Sequence, residues 1–479
     1  MRSSFAAVVA ALLLPMSAHA DDAADVAALR KDVEALRADY EARLRALEQR
    51  LKSAEAALAA APVAATSASQ ASAVAPRASA AAPPPAVAAP TAAATPAVAT
   101  AGAGGANSFT PAVSLILSGL YAHTSHDPAT YAIRGFPLPA DAQIGPGTRG
   151  FSLAETELGL AASIDPWLRG QAAISFAADN SVEVEEAFVQ TTALGNGLAL
   201  KAGRFFSGIG YLNPQHSHTW DFVDAPLAYQ AMLGTQVGDD GLQLTWLPPI
   251  DQYVELGLEV GRGRSFPGSD TNRNGPGMVA LTAHAGGDIG ESHSWRAGVS
   301  LLDAKASGQG LVATDGAGNR FAQSFSGSTR VWIADAVWKW APNGNALRTN
   351  FKLQAEYAQS TRRGDLVHDV GGADLASTYS VRQSGWYVQG VYQFMPRWRV
   401  GARFEGLDPG TPDYGANNGL IALPTDRSRK DSLMVDFNPS EFSRVRVQLA
   451  RDRAREGGAD TQWFVQYQMS LGAHGAHSY

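Results

Sequence analysis

From residue 107 to the C-terminus, apolar residues alternate with polar or small ones at a period of two. The runs "LQLTWL", "YVELGLEV", "LRTNFKLQAEYA", "WRVGARFEG", "RVRVQLA" and "TQWFVQYQMSL" all follow it. Within 347–357, Leu347, Thr349, Phe351, Leu353, Ala355 and Tyr357 fall on one face, and Arg348, Asn350, Lys352, Gln354 and Glu356 on the other. Strands of about ten residues with one apolar and one polar face predict a transmembrane β-barrel. A soluble sandwich would show shorter strands and more evenly spaced turns. Sixteen such strands can be placed, the first near 113–122, the fifth at 198–206, the thirteenth at 397–406 and the last at 461–471. Short turns such as "LGNG", "PPID" and "NPSE" alternate with mostly long connections, including 123–150, 207–240, 304–328, 361–383 and 407–429. Outer-membrane barrels have this asymmetry, with short periplasmic turns and longer outer loops. Closure also leaves no strand edge facing lipid. Trp246, Trp332, Trp386 and Trp463 are among the tryptophans at strand ends or on apolar faces, where interfacial girdles form.

A different period governs the N-terminal part. Val26, Leu29, Val33, Leu36, Tyr40, Leu44, Leu47, Leu51, Ala54 and Leu58 are spaced by three or four residues, with Arg, Glu, Asp and Ala between them. This heptad-like seam, with one stutter near Tyr40, predicts a coiled coil over 21–60. Leaving the seam wet is unfavourable, so self-association is expected. Ahead of it, "MRSSFAAVVAALLLPMSAHA" has a basic start, an apolar core and a small-x-small end. That pattern predicts a signal peptide over 1–20, and its apolar core is too short for a permanent span. Apart from Gln70, residues 61–106 are Ala, Pro, Ser, Thr, Val and Gly with Arg77 as the only charge, a semi-extended linker. The expected order is signal peptide, periplasmic coiled coil, linker, and an outer-membrane barrel over 107–479.

Composition narrows the chemistry. The 479 residues include no cysteine, which excludes disulfides, thiolate metal sites and cysteine nucleophiles. The formal net charge is −7, and residues 1–106 carry nine basic and nine acidic side chains, so the excess falls on the barrel. A mildly acidic domain argues against a nucleic-acid partner. Neither Gly-x-Ser-x-Gly nor His-Glu-x-x-His occurs, and a His216–Asp221 dyad would lack a poised serine. An outer-membrane enzyme is therefore disfavoured.

The candidate chemistry lies on the polar faces. Later strands carry Arg348, Lys352, Arg399, Arg403, Arg444 and Arg446. Earlier ones carry Glu155, Glu157, Glu255 and Glu259, with Glu183, Glu185 and Glu186 nearby. In a ring of sixteen, strand thirteen lies opposite strand five, so basic and acidic pore-lining walls are expected to face each other. Such rows orient dipolar solutes and tune ion selectivity. The plainer alternative is that the charges pair with one another in a hydrated interior.

The strand–turn–strand run "VEVEEAFVQTTALGNGLALKAGRFFSGIGYLNP", followed by a long third loop, resembles the sixteen-stranded outer-membrane porins, most of all the phosphate-selective-porin-like family. The resemblance implies that the third outer loop, 207–240, folds inward as the constriction, with Asp221 and Asp224 toward the basic strands. A coiled coil ahead of a barrel is similar to the periplasmic extension of the sucrose porin. Porins of both kinds are trimers, which implies a homotrimer in outer-membrane lipid passing small hydrophilic solutes or ions. The acidic content here matches the basic content, a departure from the arginine and lysine ladder of phosphate-selective members.

Within that loop, "GIGYLNPQHSHTWDFVDAPLAYQAM" reads neither as helix nor as strand, yet it is too apolar for a disordered segment. His216 and His218 form a His-x-His pair suited to zinc, with Asp221 or Asp224 as candidates to complete a site. Histidines recur in the first outer loop (His123, His126), in the sixth (His368) and in the tail (His474, His477). Zinc at the loop histidines is the one cofactor considered. It suggests a second reading, a metal-linked uptake protein of the kind described as a TonB-dependent receptor. Such receptors have a plug and about 22 strands, and this chain has length for sixteen. A structural tether to the cell wall is the third reading.

Overall fold

The alternating runs fold as antiparallel strands, each hydrogen-bonded to its neighbours in sequence. The computed structural model describes residues 111–154, 156–269 and 274–472. The signal peptide, coiled coil, linker, Glu155, His474 and His477 lie outside the described residues. The strands are β1 (Ala112–Thr124), β2 (Gly150–Leu153), β3 (Thr156–Ser163), β4 (Leu168–Phe176), β5 (Val182–Thr191), β6 (Leu198–Phe206), β7 (Gly238–Trp246), β8 (Tyr253–Gly261) and β9 (Met278–Ile289). They continue with β10 (His293–Thr314), β11 (Arg320–Trp340), β12 (Asn350–His368), β13 (Leu375–Met395), β14 (Trp398–Asp408), β15 (Ser428–Ser440), β16 (Ser443–Asp452) and β17 (Asp460–Gly472). Both β2 and β3 pair with β1 and are two halves of one stave. β1 also pairs with β17, from Ser114↔Gly472 to Thr124↔Gln462. The result is a closed barrel of sixteen staves.

Burial along the staves is inverted relative to a soluble protein. In β15 the inward Lys430, Ser432 and Asp436 are buried, whereas Leu433 is 57% exposed and Val435 is exposed too. Outward apolar and inward polar faces suit a wall in contact with lipid, and closure satisfies the backbone within the barrel. Exposed aromatics sit toward both ends: Trp332, Trp386 and Trp463 on the long-loop side, Trp246, Phe394 and Tyr467 near the short turns. Leu433→Arg, between the outward Ala402 and Leu449, is expected to cost about 2–4 kcal/mol if it lies near the bilayer midplane. Urea unfolding in liposomes checks this, and an unchanged midpoint would contradict a lipid-facing position.

Two expected long loops are instead strand. The connections at 304–328 and 361–383 shrink to turns at 315–319 and 369–374, because β10 to β13 run for 19–22 residues. That is about twice what a tilted strand needs to cross a bilayer. The added lengths are rich in Gly, Ala, Ser and Thr and lack the apolar outer face that marks a lipid-spanning run. Their inner faces are held by a cluster of Leu311, Phe325, Leu366, Tyr379 and Val381 with Tyr414 and Ile421. His368 accordingly ends β12, 2.7 Å from Gln323 Nε2, and is not a loop residue.

Candidate functional site

The connection between β6 and β7 begins and ends at a single buried asparagine. Asn213 Nδ2 donates to the carbonyls of Ser207 (2.7 Å) and Val237 (2.9 Å), and its Oδ1 accepts from Val237 N–H at 2.8 Å. The connection is 207–237, three residues shorter than the expected 207–240, because β7 starts at Gly238. It contains a 3₁₀ turn at Ser217–Thr219 and one α-helix, α1 (Leu227–Leu233). The sequence suggested no helix here, since all seven α1 residues are buried and no polar face marks a period. α1 follows Pro226 and stops at Gly234, whose φ of 64° is left-handed. It packs against the inner faces of β12, β13 and β14, joining a cluster with Ala358, Tyr387 and Leu407.

The first outer connection, 125–149, also turns inward, which nothing in the sequence indicated. Its Tyr131, Ile133, Phe136 and Leu138 belong to the same buried cluster as α1. Gly145 N–H donates to Gln230 Oε1 at 2.8 Å, and the Tyr131 hydroxyl to Asp452 at 2.8 Å.

On the basic side the loop brings its own counter-charges. Asp221 is ion-paired with Lys352, and with Arg399 at 3.3 Å; Arg399 also pairs with Asp436. Asp224 accepts from Arg403 Nη2 (2.8 Å), Lys430 Nζ (2.5 Å) and Gln448 Nε2 (2.8 Å). Burial opposes ionisation of both aspartates. Lys352 and Arg399 nevertheless hold Asp221, and Lys430 and Arg403 hold Asp224, below the usual carboxylate range. Arg444 donates to the carbonyl of His218 (2.8 Å), and Arg446 to that of Trp220 (3.0 Å) and to Asp436 (2.7 Å). Glu405 Oε2 receives the Leu227 N–H at the start of α1, at 2.5 Å.

Glu356 on β12 gathers the first part of the loop. Its oxygens accept from the backbone N–H of Tyr211 (3.1 Å) and Leu212 (3.2 Å), from the Tyr229 hydroxyl (2.7 Å) and from the Tyr387 hydroxyl. Gly210, at φ +65°, lets the chain pass so closely that a Cβ there would meet Glu356 and the Tyr229 hydroxyl.

The acidic side is arranged differently. Glu259 accepts from Ser207 Oγ (2.5 Å) and Gly208 N–H (2.7 Å). Glu255 lies 3.4 Å from His284. Glu157 Oε2 stands 3.0 Å from His216 Nδ1 and 3.2 Å from His218 Nδ1. His216 Nδ1 is also 3.2 Å from Glu185, and its Nε2 is 3.0 Å from Glu186.

These placements sort the sequence-derived candidates. Lys352, Arg399, Arg403, Arg444, Arg446, Glu157, Glu255 and Glu259 stand on the wall at the positions just described. Arg348 does not: it sits exposed in the turn before β12, because the strand starts two residues beyond it. Neither Asp221 nor Asp224 joins the histidines, since both are engaged by the basic wall, and no His216–Asp221 dyad forms. The carboxylate beside both rings is Glu157. The basic and acidic walls are also not open to each other, because the loop lies between them. Asn213, Glu405, Asp436 and Gln448 were unremarked in sequence, and Glu356 was placed on a polar face without a role. The polarity of the strand residues at inward positions was visible, but the loop partners of Glu356, Glu405 and Gln448 are 127 to 225 residues away. A cavity of about 860 Å³ remains, lined by Ser118, Ser175, Glu183, Glu185, His218 and Gln466 among others.

No family model matches the chain. A protein of Aquifex aeolicus (strain VF5), described as an uncharacterized protein, is 30% identical over 348 residues, covering 69% of this chain and 70% of that one. Among solved structures, the anion-selective porin from Comamonas acidovorans aligns at a TM-score of 0.46 with 11% identity, over 76% of this chain and all of that one. OprB of Pseudomonas putida aligns at 0.45 with 15% identity, over 75% and 94%. The outer membrane channel DcaP of Acinetobacter baumannii aligns at 0.44 with 13% identity, over 76% and 97%. The barrel itself is established by its strand pairing, independently of these likenesses.

Proposed function

The chain belongs to one family with the uncharacterized Aquifex aeolicus protein, and from its barrel and interior we propose an outer-membrane porin for passive diffusion of small hydrophilic solutes or ions. The observation that carries this is the position of 207–237. It crosses the inside of a closed barrel, is bonded to the inner faces of β8, β12, β14 and β16, and leaves a cavity of mixed polar and apolar lining beside it. In this reading the loop is the constriction. It covers Lys352, Arg399, Arg403 and Lys430 with Asp221 and Asp224, and leaves Glu183 and Glu185 on the cavity wall. Carboxylates on the cavity wall, with those four cations screened, favour cations over anions. The signal peptide delivers the chain, the 21–60 seam supports a periplasmic trimeric coiled coil, and 61–106 spans from it to the barrel.

The test is conductance of the purified full chain in planar bilayers, with the reversal potential read in a potassium chloride gradient. Discrete single-channel steps with a cation-preferring reversal potential are expected. A correctly folded barrel that passes no current would overturn the porin reading.

A further inference from the structure

The loop meets the acidic wall at Glu259 and again at the carboxylates of β3 and β5, and this second place is built differently from its other contacts. Elsewhere the loop offers carboxylates, hydroxyls or backbone groups to the wall. Here it offers two imidazoles to carboxylates on β3 and β5. The His216 and His218 rings lie nearly parallel, 28° apart with centroids at 5.6 Å, so both present a nitrogen to the same side. Ligand atoms of Glu157, His216 and His218 all fall within 4.8 Å of one another.

The spacing of Glu157 from the two rings is that of ligands on one metal ion. Tetrahedral zinc with bonds of about 2.0–2.1 Å separates its ligand atoms by about 3.3 Å. Glu157 Oε2 stands 3.0 and 3.2 Å from the two Nδ1 atoms. Despite that proximity, this buried oxygen accepts no well-directed hydrogen bond among the described residues. His216 Nδ1 is instead directed at Glu185 Oε2 at 3.2 Å, a carboxylate beside the three-residue group and not part of it. The opposite ring nitrogen, Nε2, faces Glu186 Oε2 at 3.0 Å. A carboxylate on the far nitrogen is the usual partner of a metal-bound histidine, because it fixes the tautomer and raises ligand basicity.

We propose that Glu157, His216 and His218 form a binding site for one divalent transition-metal cation of the zinc class, with Glu186 as positioning residue. Mixed imidazole and carboxylate donors suit zinc, whereas calcium and magnesium take oxygen ligands. The ion joins 207–237 to β3 and β5. This goes beyond passive diffusion and does not depend on it, since binding is read without any current.

The experiment uses the full chain in detergent, stripped with EDTA and titrated with zinc chloride by calorimetry, with bound zinc counted by elemental analysis. Because other histidines also bind zinc, the readout is a difference between variants. The H216A/H218A double variant is expected to lose one tight equivalent per chain that an H474A/H477A variant retains. E157Q, which preserves shape, is expected to weaken that equivalent at least about 10-fold, and E186Q by about 10–100-fold. Excess calcium is expected not to displace it. Heat-modifiable migration on gels verifies that each variant is a folded barrel; if the double variant is not, E157Q alone decides. Zinc stoichiometry and affinity unchanged by E157Q, or calcium displacing zinc, would overturn the site while leaving the porin reading intact.

Discussion

In the proposed porin, replacing Asp221 and Asp224 together by asparagine is expected to turn selectivity toward anions and to loosen the inner loop. The two aspartates are the loop's charged attachments to the basic wall, meeting Lys352 and Arg399 on one side and Arg403 and Lys430 on the other. Arg403 keeps Glu405 at 2.8 Å, and Arg399 keeps Asp436. The variant therefore adds two net positive charges to the interior without stripping every cation of a partner. Removing one member of a buried pair costs about 3–5 kcal/mol, because the remaining charge stays desolvated. Water entering between loop and wall relieves that cost, so larger and noisier single-channel currents are expected. The reversal potential should move toward the chloride value. A reversal potential and conductance equal to wild type would show that these pairs do not set the pore.

The same pairs give the pH dependence a sign. Both aspartates titrate below the ordinary range in the folded protein, against about 3.9 when unfolded. Their contribution is full above about pH 4 and is lost only as pH falls through the lowered folded values. Through this attachment, wild-type selectivity should not change between pH 8 and about pH 4, and the variant should differ from it across that whole window.

Glu356→Gln is expected to free the first half of the loop. Each carboxylate oxygen accepts one backbone N–H and one tyrosine hydroxyl, from Tyr211 and Tyr229 on one and from Leu212 and Tyr387 on the other. Glutamine keeps one acceptor and turns an NH₂ toward donors. Two groups then lose their acceptor at a buried site, at about 1–3 kcal/mol each. The expected result is rapid cleavage of 207–237 by protease added from outside, where the wild-type loop resists, with the barrel unchanged in circular dichroism. A variant as resistant as wild type would show that Glu356 does not anchor the loop.

The period-two alternation was enough to read the staves. β6 at 198–206 and β16 from 443 begin where the pattern does, because a lipid-facing wall requires an apolar residue at every second position. The extensions of β10 to β13 escaped that reading because, beyond the bilayer, both faces of a strand may be polar or small. The inward loop could be located by its place after the fifth stave and by the resemblance to porins. Its helix could not, since a segment buried on all sides carries no amphipathic period.

The sequence by itself determined a closed barrel, its number of staves, and which alternate residues face inward. Those are local properties, repeated along each strand and enforced by the contrast between lipid and water. Only the tertiary structure decided what the inward residues do. Asp221 and Asp224 lie within nine residues of His216, yet they serve the opposite wall, and Glu157 takes the place beside the histidines that sequence proximity had offered them. A loop folded across a ring meets strands distant from it in the chain, so its partners follow from where the ring closes, and no spacing along the sequence encodes them.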